Sequence, residues 1–111
     1  NSQKDTPFAY HLFIKKIIQE AIDDNGVERY HFMLFRNLLE KTATFLGYNN
    51  WGDILVVDGT SDEDKKANIR FINMASHNKI SDLEAKVLKQ HEKNLLKLLF
   101  DNFKREYKWK E

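Results

Sequence analysis

The segment RFINMASHNK, residues 70–79, carries three side chains that could do acid–base or phosphate chemistry. Arg70, Asn73 and His77 stand at positions i, i+3 and i+7. On a helix that turns about 100° per residue, they project within about 60° of one another. A histidine near its pKa can move a proton, and an arginine can neutralise phosphoryl charge. The other interpretation is structural, because the macrodipole favours a histidine at a helix C-terminus.

A second pair, Arg36 and Glu40, lies in FRNLLEKT with the i, i+4 spacing that puts both side chains on one side of a helix. Taken alone, such a pair is usually a surface ion pair worth a few tenths of a kcal/mol. Apolar residues surround the Arg70, Asn73 and His77 side chains, which predicts that their helix is largely buried. Buried polar groups need partners, so we expect the preceding helix to supply Arg36 and Glu40.

Other chemistries find little support in the sequence. The four isolated glycines cannot make a phosphate-binding loop or a dinucleotide-binding motif. The histidines are scattered, and Phe35 stands four residues after His31, where a second metal ligand would be expected. The absence of cysteine excludes disulfides and thiolate zinc sites, and fits a reducing, cytoplasmic compartment. No cofactor is expected in this chain.

Charge and hydropathy set further limits. Eighteen Lys and Arg stand against seventeen Asp and Glu, so net charge does not favour general coating of polyanions. A local basic strip is still possible. Its candidate RNA contacts are Lys104, Arg105, Tyr107 and Trp109, and the alternative is a solvated charged helix face. No apolar run approaches the roughly 20 residues of a membrane span, and no signal peptide is visible.

Helix signals divide the chain into four segments. Thr6 and Pro7 predict a helix over 7–23, which ends at Asn25-Gly26. A broadly apolar second helix over 28–46 should be central and end at Gly47.

The second half follows the same logic. Residues 48–59 should be irregular or hold a short helix. Capping-box patterns at Thr60–Glu63 and Ser81–Glu84 predict helices over 61–77 and 82–107. The prediction is one all-α domain over 1–111, folded as an antiparallel four-helix bundle.

The sequence resembles the HEPN superfamily of four-helix domains, many of which are ribonucleases. RFINMASH fits the hallmark of an arginine, four to six residues, and a histidine, and FMLFRNLLEKTATFLG looks like the second helix of such domains. More narrowly, the stretch from about His31 to Trp109 is similar to the C-terminal region of ATPase-linked anticodon nucleases of the PrrC/RloC kind.

This resemblance implies an activity and a site. The arginine, the glutamate four residues later and the downstream histidine of those nucleases would fall on Arg36, Glu40 and His77, with Arg70 and Asn73 beside them in a solvent-open cleft. RNA supplies its own 2′-OH nucleophile, so cleavage to a 2′,3′-cyclic phosphate and a 5′-OH end needs no metal. The tRNA anticodon loop is the implied target, in defence or stress response.

The resemblance also implies partners, and two alternatives stay open beside it. Since the chain begins without Met, at NSQKDTP, we expect the C-terminal fragment of a longer protein whose N-terminal domain binds ATP. HEPN domains commonly pair, which implies a homodimer with His77 near the interface. The first alternative is a catalytically silent HEPN-like module that dimerises or docks a partner, and the second is a plain structural bundle.

Overall fold

Helices make up the described part of the chain. The computed structural model describes residues 7–55, 61–76 and 87–107, with the backbone alone for residues 7 and 8. Its elements are α1 (Pro7–Asp23), α2 (Arg29–Leu46), a 3-10 helix (Trp51–Ile54), α3 (Asp62–Ser76) and α4 (Gln90–Glu106). No strand occurs in these ranges, so the all-α prediction is confirmed. The antiparallel HEPN arrangement stays a prediction.

Helices α1 and α2 form an antiparallel pair joined by a tight turn. Asn25 adopts a positive φ of 54°, and the Gly26 amide donates a 2.8 Å hydrogen bond to the Ala21 carbonyl, which ends α1 where the sequence predicts. The Lys41 ammonium lies 5.0 Å from the ring centroid of Tyr10. An early residue of α1 therefore lies beside a late residue of α2.

Helix α2 is the central element, as its apolar pattern predicts. Phe32, Phe35, Leu38 and Leu39 are fully buried in it. Gly47 ends the helix in the left-handed conformation at φ 87°, which confirms its predicted role as the C-cap. The Tyr48 amide then donates a 2.8 Å hydrogen bond back to the Ala43 carbonyl.

The segment after α2 holds a short helix, one of the two predicted possibilities. The Asn50 side chain accepts a 3.0 Å hydrogen bond from the Gly52 amide at its start. Gly52 lies against α3, because a Cβ at this position would stand 3.0 Å from Cδ1 of Ile69. Residues 56–60 lie outside the described residues.

Helix α3 runs antiparallel to α2. The rings of Phe32 and Phe71 meet edge to face at 5.1 Å, and one turn later Met74 contacts Arg29. The Ser61 hydroxyl accepts a 3.2 Å hydrogen bond from the Asp64 amide. Ser61 thus caps the helix, and Thr60 of the predicted capping box lies outside the described residues.

Helix α4 differs from the prediction at its start. Residues 87–89 are not helical and the helix begins at Gln90, so a continuous helix over 82–107 is wrong. The reason is local: the Lys89 backbone is extended, and its amide donates a 2.8 Å hydrogen bond to the Glu92 carboxylate. The predicted cap at Ser81–Glu84 lies outside the described residues.

The helices enclose one apolar core. The Phe35 ring lies 6.1 Å from that of Phe100 and 6.0 Å from that of Phe103, which brings α4 onto α2. Ile18 of α1 and Ile72 of α3 are also fully buried. No helix in the described ranges is both long and apolar enough to span a bilayer.

Candidate active site

Arg36 and Glu40 face the same side of α2, as predicted. Nε of Arg36 lies 3.8 Å from Oε1 of Glu40, and the two side chains are 27% and 45% exposed. This Nε is itself buried and makes no hydrogen bond to any described residue. The pair is therefore only partly solvated, and an anionic ligand would reach Arg36 through the exposed part of its side chain and not through Nε.

The 3-10 helix holds the other side of Arg36. The guanidinium carbon lies 6.0 Å from the centroid of the half-buried Trp51 ring, at the outer limit of a cation–π contact. Gly52, the next residue, packs on Ile69 of α3. The position of Arg36 thus depends on the packing of three elements.

Arg70 and Asn73 lie on the outer side of α3. Only Ile72 and Ala75 of this helix are buried, so the prediction that it is largely buried is wrong. At about 100° per residue, Arg70 points roughly 160° away from Ile72, which explains its exposure. Counting apolar neighbours along the sequence did not reveal this, because the count assumes that apolar residues are buried. Met74 is apolar and exposed.

No hydrogen bond or ion pair between described residues joins Arg70 or Asn73 to Arg36 or Glu40. His77 lies outside the described residues. The convergence of Arg36, Glu40 and His77, with Arg70 or Asn73 beside them, therefore stays a prediction.

The end of α3 carries an arginine contact that sequence reasoning missed. Nη2 of Arg29, the first residue of α2, donates a 3.0 Å hydrogen bond to the Met74 carbonyl oxygen. Met74 lies in the last turn of α3, which runs over Asp62–Ser76, so this contact ties the start of α2 to the last turn of α3. The sequence signal was present, since Arg29 is a cation at a helix start, where the macrodipole disfavours it.

A groove of about 430 Å³ opens beside this contact, where the end of α3 meets the starts of α2 and α4. We call it the Arg29 groove. Its lining residues are Arg29, Phe71, Met74, Ala75, Val87, Leu88, Lys89 and Glu92. Apolar side chains form most of the wall, and two cations and one carboxylate border it. The sequence pattern could not indicate it, because three separate segments contribute.

The candidate RNA contacts on α4 are partly used within the fold. Nζ of Lys104 lies 3.6 Å from Oδ1 of Asp101 and also donates a hydrogen bond to Gln19. Arg105 donates a 2.8 Å hydrogen bond to the Asn102 side chain.

Tyr107 follows α4 and is only partly accessible. Its ring packs on Phe103 at a centroid distance of 5.5 Å. Burial, followed by Tyr48 and Glu106, raises the pKa of the Tyr107 hydroxyl. Trp109 lies outside the described residues, so the RNA-contact role of this strip stays a prediction.

The described histidines occupy structural or surface positions. Nδ1 of His31 accepts a 2.9 Å hydrogen bond from the Glu28 amide at the start of α2, and burial lowers the pKa of this imidazole. Burial, followed by Lys41 and Lys15, also lowers the pKa of His11. Within the described ranges, no three His, Asp or Glu side chains come together as a metal site would require.

Comparison with known proteins gives one informative relative. Over 98 residues the chain is 46% identical to the anticodon nuclease of Escherichia coli, a match that covers 87% of this chain and 23% of that protein. The chain thus spans about a quarter of the length of the curated relative it matches. No protein-family model matches, and no solved structure matches. The chain is therefore related in sequence to one segment of an anticodon nuclease.

Proposed function

We propose that this chain is the endoribonuclease domain of an anticodon-nuclease-like protein and cuts RNA without a metal, with the tRNA anticodon loop as its target. The observation that carries the proposal is the 46% identity over 98 residues to an anticodon nuclease. The Arg36–Glu40 pair on α2 supports it, because the arginine lies between a carboxylate and an indole and its side chain is 27% exposed.

The proposed reaction is transesterification. The ribose 2′-OH attacks the adjacent phosphorus, the bond from phosphorus to the 5′ oxygen breaks, and a 2′,3′-cyclic phosphate and a 5′-OH end result. His77 takes the 2′-OH proton or gives a proton to the departing 5′ oxygen. Arg36 neutralises charge on the phosphoryl oxygens in the transition state, and Glu40 orients Arg36 or acts as the second acid or base.

The same relative supports a longer protein as the setting. The chain covers 23% of that nuclease, so there is room for an N-terminal ATPase domain in a longer protein. We propose that the protein acts in the cytoplasm, in defence or stress response. We also propose that it works as a homodimer. A groove between the two chains would present positive side chains from both of them to RNA, which offsets the low net charge of +1 per chain.

The test is incubation of the chain with total tRNA in EDTA, followed by mapping of the ends at each cut. Cleavage with cyclic phosphate and 5′-OH ends is expected. His77→Ala should abolish it while the far-UV circular dichroism stays unchanged, and Lys16→Gln, an exposed site on α1, is the control. Intact tRNA in every condition, including with the longer ATPase-containing protein, would contradict the proposal.

A second candidate is a catalytically silent module that docks a partner. The exposed apolar side chains favour it: Phe13, Met74 and Phe45 are 61%, 59% and 56% exposed. Met74 lies beside Arg29 at the start of α2 and Phe45 lies near the end of that helix, so each is a separate apolar position that a docked partner would cover. If RNA stays intact while the chain forms a stable dimer in sedimentation measurements, this second candidate replaces the first.

A further inference from the structure

The Arg29 groove combines an apolar wall with a positively charged edge. Phe71, Ala75 and Leu88 line it with apolar groups, and Arg29 and Lys89 border it with positive charge. Its volume of about 430 Å³ lies in the range of small-molecule sites, roughly 300 to 1,000 Å³. A ligand that fits must be partly flat and apolar and partly anionic.

The charges around the groove specify the kind of anion. Arg29 and Lys89 contribute two positive charges and Glu92 one negative charge, which leaves a net charge of +1. One positive charge matches a phosphodiester, which carries a single negative charge, better than a terminal phosphate monoester, which carries close to two. Lys89 at the N-cap of α4 and Glu92 in its first turn border the groove, so the positive end of the helix macrodipole lies beside it.

Both cations can serve a ligand without unfolding their helices. Arg29 uses Nη2 for the Met74 carbonyl, and a guanidinium has five N–H donors in all. Lys89 is exposed, and its main-chain amide, rather than its ammonium, bonds Glu92.

The apolar part of the groove suits a nucleobase. Val87 is 90% exposed and Met74 is 59% exposed at its edge, so both side chains can cover a flat ring. Phe71 is held edge to face by Phe32, which fixes the groove floor. Bases stack on aromatic side chains with little dependence on sequence.

We propose that the Arg29 groove seats one nucleotide of single-stranded RNA, with its phosphodiester at Arg29 and Lys89 and its base against Phe71, Leu88 and Val87. RNA as the ligand rests on the proposed function. Two of its lining residues, Met74 and Ala75, precede the proposed catalytic His77 by three and two residues in the sequence.

The test measures binding separately from cleavage. A fluorescent hexauridylate with 2′-O-methyl riboses has no 2′-OH nucleophile, so the enzyme cannot cut it. Its affinity for the chain is measured by fluorescence anisotropy across a series of salt concentrations. We expect Lys89→Gln to weaken binding by about three- to tenfold at low salt, and to make the plot of log affinity against log salt shallower by about 0.7.

A second variant tests the apolar part. Val87→Ala should weaken binding by about two- to fivefold with no change in the salt slope, because it removes two methyl groups and no charge. The matched controls are Lys16→Gln on α1 and Leu98→Ala on α4, both exposed and outside the groove. Neither control should change the affinity by as much as its partner variant.

The outcomes separate the two proposals. Equal effects of Lys89→Gln and Lys16→Gln, or failure of the wild type to bind the oligomer, would overturn the groove proposal whatever the cleavage assay shows. If the oligomer binds through Lys89 and Val87 while tRNA stays intact, the groove proposal holds and the nuclease proposal falls. The charge argument can be tested with an oligonucleotide that carries a 5′-phosphate monoester. If Lys89→Gln weakens binding of that oligonucleotide more than binding of the hexauridylate, the charge argument is contradicted.

Discussion

Arg29 at the start of α2 is hydrogen-bonded to the carbonyl of Met74 at the end of α3, 45 residues later in the chain. One contact thus joins the start of α2 to the last turn of α3 and fixes one side of the Arg29 groove. The Phe32–Phe71 ring pair lies one turn further along the same interface. Together they set the register of α3 on α2.

Arg29→Ala should lower the free energy of unfolding by about 1 kcal/mol, because the Met74 carbonyl loses its charged donor. Arg70→Ala is the control, since Arg70 is an exposed arginine on the outer side of α3. Urea unfolding followed by far-UV circular dichroism measures both. Equal losses for the two variants would show that the Met74 contact adds no stability.

Gly47→Ala should destabilise the chain by about 1 kcal/mol, because φ 87° is strained for a residue with a Cβ. Gly26→Ala is the matched control: it has open space around a Cβ and no positive φ. That substitution should be neutral or slightly stabilising, since alanine restricts the unfolded chain. The thermal midpoints of the two variants should therefore move in different directions or by clearly different amounts.

Gly52→Ala should destabilise the chain by about 1 kcal/mol, because the new methyl would stand 3.0 Å from Cδ1 of Ile69. Ile69→Val removes that methyl group. In a double-mutant cycle, Gly52→Ala should cost clearly less in the Ile69→Val background. Purely additive effects would rule out the predicted clash between these two residues.

Stability should fall as the pH drops from about 7.5 to about 5.5. Burial lowers the pKa of His31 and of His11 below the ordinary value of 6.5, so the unfolded chain binds protons at a pH where the folded chain does not. The free energy of unfolding is then highest above the pKa that these histidines have in the unfolded chain. It declines as the pH falls toward their pKa in the folded chain.

His31→Gln should flatten this decline by removing one titrating group, and a glutamine at this position can still accept from the Glu28 amide. His91→Gln, on the exposed side of α4, is the control. The measurement is urea unfolding at several pH values. A decline of the same steepness in His31→Gln and wild type would exclude His31 as a source of the pH dependence.

If the proposed nuclease activity holds, Arg36→Gln should reduce the single-turnover cleavage rate by about 100-fold or more, since it removes charge stabilisation of the transition state. Its stability should change by less than about 1 kcal/mol, because the pair with Glu40 is partly exposed. Lys16→Gln, at an exposed cation on α1, is the comparison. Retained cleavage in Arg36→Gln would remove Arg36 from the site.

Local signals predicted most of the helices. Pro7 begins α1 and Gly47 ends α2, because each of these features depends on a few neighbouring residues. The start of α3 was predicted with Thr60 as its cap, whereas Ser61 accepts the capping hydrogen bond. The predicted start of α4 was wrong. The sequence offers two helix caps, Ser81–Glu84 and Lys89–Glu92, and does not show which of them begins α4.

The site was only partly predictable for a related reason. The Arg36–Glu40 pair is local to one helix and could be identified from its spacing. The exposure of Arg70 depends on which side of α3 packs inward, and the Arg29 groove depends on three helix ends that meet in space. Such long-range relationships leave no periodic signal in the sequence.

The contacts of Phe35 bear on the order in which the chain can fold. Helices α1 and α2 are joined by a short turn, whereas Phe35 reaches Phe100 and Asn25 reaches Gln90, pairs 65 residues apart. Closing a chain loop costs entropy that grows with its length, by about 0.6 kcal/mol per doubling. Docking of α4 is therefore the entropically costly step of folding. A growing polypeptide can form the α1–α2 hairpin first and complete its core only when the two phenylalanines of α4 arrive.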